Sequence, residues 1–107
     1  MTSKIPFSSF FSSSRKVSYK GNSHTVTLPP QFVKSLMNLS DRKVKLLCID
    51  NHLMIIIPEK FANDDEYALT YTIIQSIEAL YHSSSNEFVR RQIEKIYEDL
   101  ATLLNIL

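Results

Sequence analysis

Apolar and polar positions alternate with a period of two along residues 16–28. Val17 and Tyr19 fall on one face of the first stretch and Lys16, Ser18 and Lys20 on the other. The second stretch repeats the pattern with Val26 and Leu28 inward, so two half-buried strands are predicted at 16–20 and 24–28. Between them stands Gly21-Asn22, with the only glycine of the chain. Glycine enters left-handed backbone without steric cost and Asn tolerates it best of the rest, which predicts a tight strand connection. Pro29 and Pro30 stop the second strand, and a proline is no loss in a first helical turn, so a helix is predicted over 30–38. Phe32, Val33, Leu36 and Met37 are its apolar spacing, Asn38 its left-handed cap, and Leu39 packs as the chain leaves it.

Alternation resumes over 43–49, with Val44, Leu46 and Cys48 on one face, and again over 53–57. The Asp50-Asn51 pair predicts a hairpin between these strands, which Pro58 ends. From about residue 63 the period lengthens to that of helices. The first is predicted over 64–82, with Asn63 as N-cap, acids in its first turn, and Ile73, Ile74, Ile77, Leu80 and Tyr81 as its apolar face. The second opens at Ser84-Ser85-Asn86-Glu87, which fits a capping box. It carries Val89, Ile93, Ile96, Leu100, Leu103 and Leu107 at spacings of 4, 3, 4, 3 and 4, the seam of a coiled coil, widened by Tyr97 and Leu104. Two such helices form an antiparallel hairpin, and so broad a stripe calls for a further partner, a second copy or another protein.

Charge divides where the period changes. Residues 15–60 hold eight Lys/Arg against three acids, and residues 61–107 hold three against eight, inside a net charge of only +1. A basic half beside an acidic one points to nucleic-acid contact by the basic half. Lys16 and Lys20 share one strand face, the arrangement that phosphate contact needs, and His24 lies close by.

The 107 residues suffice for one small domain and an appendage, which favours self-association, and no apolar run is long enough for a membrane span. Residues 1–14, with six serines and no acid, predict a flexible or partly docked tail. Cys48, the only cysteine, is expected in the core of its strand and fits a reducing, cytoplasmic setting. His24, His52, His82 and Cys48 have no zinc spacing, and the carboxylates sit at helix starts and on solvent faces. The chain is therefore expected to carry no catalytic, cofactor or metal site.

Gly21-Asn22-Ser23, Val26, Leu28-Pro29, Phe32, Leu36, Leu39, Val44, Asp50 and the apolar run 53–57 together resemble the AbrB/MazE family of swapped-hairpin DNA-binding domains, over about 45 of the 107 residues. The resemblance implies an α+β fold in which two protomers exchange hairpins to close one small β-barrel over 15–60, followed by the helical hairpin of 61–107. It implies a homodimeric transcriptional regulator whose DNA-contacting surface is Arg15, Lys16, Ser18, Lys20, Asn22, Ser23, Thr25 and Thr27. A second function follows from the acidic half: an antitoxin or adaptor that captures a protein such as a toxin through its C-terminal helices, with DNA binding only autoregulatory. The antitoxins of that family carry an extended acidic tail where this chain has a helical pattern.

Overall fold

A computed structural model describes residues 5–7 and 9–107, so part of the serine-rich tail lies outside the described residues. The chain is α+β, with two separate two-stranded antiparallel sheets and three α-helices among the described residues. Strands β1 (Ser18–Lys20) and β2 (Ser23–Thr25) pair with Ser18 opposite Thr25, Tyr19 opposite His24 and Lys20 opposite Ser23. Gly21 takes a φ of +62° while Asn22 stays at negative φ, the sense of a type II′ turn. A Cβ built at Gly21 would meet nothing within 4 Å, so backbone torsion and not crowding requires the glycine. Both strands are shorter than the alternation predicts. Every residue of the pair is exposed, so among the described residues neither face is buried and pairing fades away from the turn.

Helix α1 (Pro30–Met37) starts with proline at its first position, where the missing N–H costs nothing. Asn38 follows in the right-handed region at φ −79°, contrary to the left-handed cap expected of it, and its N–H still reaches the Lys34 carbonyl at 3.3 Å. The left-handed position falls instead at Arg42, at φ 58°.

Strands β3 (Val44–Ile49) and β4 (Leu53–Pro58) pair from Val44 opposite Pro58 to Ile49 opposite Leu53. Asp50 and Asn51 both have positive φ, and the His52 N–H reaches the Ile49 carbonyl at 3.3 Å, as in a type I′ turn. The buried face is the one carrying Leu47 and Ile57, packed on Ala62 and Ala68 with Ile55 and Tyr67 at the edge. This corrects the expected orientation: Leu46 is 56% exposed, and Cys48 is an exposed free thiol, not a core residue. Both faces of this hairpin are apolar, so alternation could not say which one meets the helix. The choice is made by the 3-10 turn Glu59–Phe61, which returns the chain across the Leu47 side. Lys45 lies on that side too, and its stem runs out to give Nζ a hydrogen bond to the Asn63 carbonyl at 3.1 Å and an ion pair with Asp65 at 2.9 Å. The hydrogen bond to Asp65 raises the Lys45 pKa.

Helix α2 (Asp65–Ser83) is capped by Asp64, whose carboxylate accepts from the Tyr67 N–H at 3.1 Å, one residue after the Asn63 expected in that role. Helix α3 (Glu87–Ile106) is capped by Asn86, which accepts from Phe88 and Val89 at 2.9 and 3.2 Å. The Ser84–Glu87 capping box does not form. Ser84 closes α2 through its own N–H, and its hydroxyl accepts from Asn86.

The two helices run antiparallel, Tyr81 near the end of α2 meeting Glu94 in the first half of α3. Between them lies a second core of Tyr81 and Ile93 with Ile77, Val89 and Tyr97 around it. Ile5, 3% exposed, completes that core, so this part of the tail is docked.

Candidate nucleic-acid interface

The β1–β2 register sorts the hairpin into two chemically different faces. Ser18 opposite Thr25 and Lys20 opposite Ser23 share one side. Lys16 and Thr27, on the same parity, flank it just beyond the strand ends, and Asn22 sits in the turn. Seven of the eight residues assigned from sequence thus gather along one side or at the tip of a single hairpin. Arg15 has the opposite parity and lies apart from them. The Thr25 hydroxyl donates to the Ser18 carbonyl at 3.4 Å, spanning the strands.

On the reverse side the Tyr19 and His24 rings meet at 5.0 Å between centroids, tilted by 58°. Val17 and Val26 continue that apolar side, and Tyr19 is 65% exposed. The ring pairing was missed in the sequence because it depends on the register that the two-residue turn sets. Among the described residues Arg15, Lys16 and Lys20 form no ion pair, so their charges stand free toward solvent.

The seam assigned to partner binding divides between two directions. Ile93 is buried against α2, with Val89 and Leu100 half-buried, whereas Ile96, Leu103 and Leu107 are exposed. Near it lies a group that spacing alone did not reveal. Glu78, 6% exposed, sits on α2, and burial pushes its carboxyl above the ordinary glutamate range, with His82 opposing the shift. Tyr71 and Tyr97 are raised as well, first by burial and then by the Glu78 charge. A glutamate in mid-helix ordinarily faces water, so nothing in the local pattern marked it. His82 holds the tail: Nε2 lies 2.8 Å from the Pro6 carbonyl and 3.3 Å from that of Ile5. Both partners are acceptors, so Nε2 carries the proton.

An open groove of about 480 Å³ runs along the outer side of α2 between Phe10, Ile57, Tyr71, Gln75 and Leu80, and no charged side chain among the described residues lines it. No helix among the described residues is long and apolar enough to cross a membrane.

The chain matches no protein-family model, no curated protein and no solved structure. What the hairpin can bind therefore follows from its own side chains. Lys16 and Lys20 are about 13 Å apart along an extended chain, near the rise of four base pairs, and a free ammonium at each end suits two phosphates of one strand. The hydroxyls of Ser18, Ser23 and Thr25 lie on the same side and Asn22 at the tip, groups short enough to follow a phosphate or a base edge once the lysines fix the register.

Proposed function

We propose that this protein is a homodimeric DNA-binding transcriptional regulator, its residues 15–60 closing a shared barrel of the AbrB/MazE swapped-hairpin type. The observation that carries this reading is the two-sidedness of β1–β2. One side bears free lysines and short hydroxyls, and the other bears Val17, Tyr19 and Val26, all exposed among the described residues. A two-stranded hairpin alone in water is marginal at best. The outer face of β3–β4, with Leu46 and Met54 exposed, is the matching bare surface. A second copy satisfies both needs, covering the apolar sides and doubling the lysines on one DNA-facing surface.

Mobility shifts on the protein's own upstream DNA over a salt series test the proposal. Affinity should fall steeply with salt, and replacing Lys16 and Lys20 with Ala should flatten the slope by up to about four charges per dimer. An unchanged slope removes DNA contact from this hairpin.

One observation favours the antitoxin or adaptor function as a second reading: the exposed Ile96 and Leu103 of the acidic helix α3, with Leu107 exposed at its C-cap. A stoichiometric complex between the full chain and the product of an adjacent gene, lost on Leu103→Asp, would select it.

A further inference from the structure

Helix α2 leaves Leu69, Ile73 and Leu80 exposed at spacings of four and seven, one stripe down the helix. Helix α3 leaves Ile96 and Leu103 exposed seven apart. The side-chain contacts fix how these stripes lie. Tyr81 donates to Glu94 at 2.9 Å, the Arg90 guanidinium lies 5.2 Å from the Tyr81 ring, and Glu78 acts on Tyr97, so these groups share one flank of the hairpin. The tail residues Ile5 and Pro6 are held there through His82. At 100° per residue, Leu69, Ile73 and Leu80 fall on the other side of the α2 contact line from Glu78, and Ile96 and Leu103 fall on the other side of the α3 line from Tyr97. In an antiparallel pair the two stripes therefore merge into one apolar strip on the flank opposite the Ile5–Pro6 contact, bordered at Ser76 and Leu80 by the groove that Phe10 also lines.

We infer that this strip is occupied by the same strip of a second copy, so that the two helical hairpins form a four-helix bundle inside the dimer proposed above. Three features favour a copy of the chain itself. Its middle is uncharged, Ser76 and Gln92 being its polar members, which suits neither phosphate nor a charged peptide. Lys95 and Asp99 border it one helical turn apart on either side of the middle of α3, and Glu66 borders its end far from the α2–α3 turn, so a two-fold axis sets the Lys95 side of one copy beside the Asp99 side of the other. Finally, five half-exposed aliphatic side chains offer well under the roughly 800 Å² a side of a standard interface. The strip thus acts between protomers already joined elsewhere, where effective concentration replaces area. The inference rests on the dimeric reading of residues 15–60.

The test uses the full chain carrying Cys48→Ser and Ser76→Cys, with a short bis-maleimide as cross-linker and light scattering in parallel. Covalent dimer should form, with a yield that does not fall on dilution across the range where the protein is dimeric. Adding Ile73→Asp with Ile96→Asp should lower that yield about tenfold or more and weaken dimerisation, while Ile73→Leu with Ile96→Leu restores both. Circular dichroism checks that the charged variant keeps its helices. A protein that is dimeric by mass, with cross-linking and dissociation unmoved by the Asp pair, overturns the inference and leaves the dimer reading standing. A cross-link that appears only with a four-copy mass overturns the placement within one dimer. A chain that is monomeric throughout overturns both.

Discussion

Tyr19 and His24 face each other across β1 and β2 at 5.0 Å, on the side of the hairpin turned away from Lys20 and Ser23. The two sides of one small element can therefore be broken separately. Tyr19→Ser should lower oligomeric mass in a concentration-dependent way, by about 1 kcal/mol or more of association, and lose DNA affinity only as a consequence. Lys20→Ala should leave the mass unchanged and lower affinity for every sequence alike. Sedimentation and mobility shifts on the same samples separate the two effects.

The turns give a local prediction. Gly21 holds φ +62° in open space, so Gly21→Ala should cost about 1 kcal/mol through backbone strain alone. Asn51 is the second of two positive-φ residues, and Asn51→Gly should gain about 0.5 kcal/mol by completing the Asp-Gly pair that a type I′ turn prefers. Urea midpoints by circular dichroism at fixed protein concentration read both.

Glu78 sets a pH dependence. Its folded pKa lies above the unfolded value because burial disfavours the charged form, so the folded state holds more protons between the two values. Its contribution to stability is fully present below the unfolded pKa and is lost as pH rises through the raised one. Glu78→Gln should thus stabilise the protein on the order of 1 kcal/mol at pH 8, with the gain over wild type shrinking as the pH is lowered to about 4.5. Parallel urea titrations at pH 8 and pH 5 measure the difference.

Ile5 fills the same core as Tyr81 and Ile93. Ile5→Ala should destabilise the α2–α3 hairpin by about 2 kcal/mol, and removal of residues 1–14 by at least as much. Protection of the α2 and α3 amides in hydrogen exchange reports it, and unaltered protection would place the segment outside the stable core.

Much of this architecture is written in local sequence. Gly21-Asn22, Asp50-Asn51, the Pro29-Pro30 start of α1 and the change from period two to helical spacing near residue 63 mark elements that the structure contains. What was not legible is of one kind. Leu46 and Leu47 are equally apolar neighbours on a hairpin with two apolar faces, so which side is buried depends on where Ala62 and Ala68 arrive. Asp64 takes the α2 cap from Asn63, and Asn86 takes the α3 cap from Ser84, because neighbouring residues of similar capping ability cannot be ranked without the backbone. The docking of Ile5 and the burial of Glu78 follow from contacts between distant stretches of chain, which no local spacing records. For the candidate interface, parity orders each strand, and the register set by the two-residue turn brings Lys16, Ser18 and Lys20 to the same side as Ser23, Thr25 and Thr27, with Arg15 at the opposite parity.

Each strand and each long helix pairs with its immediate neighbour in the sequence: β1 with β2, β3 with β4, α2 with α3. The loops to be closed are short, and hairpins and helix pairs of this kind form on the order of microseconds. Such speed gives little permanence to a β1–β2 hairpin whose apolar side stays wet until another chain arrives. In the dimer proposed above, the slow step of refolding is the meeting of two chains, and its observed rate should rise with protein concentration while the earliest recovery of helical signal does not.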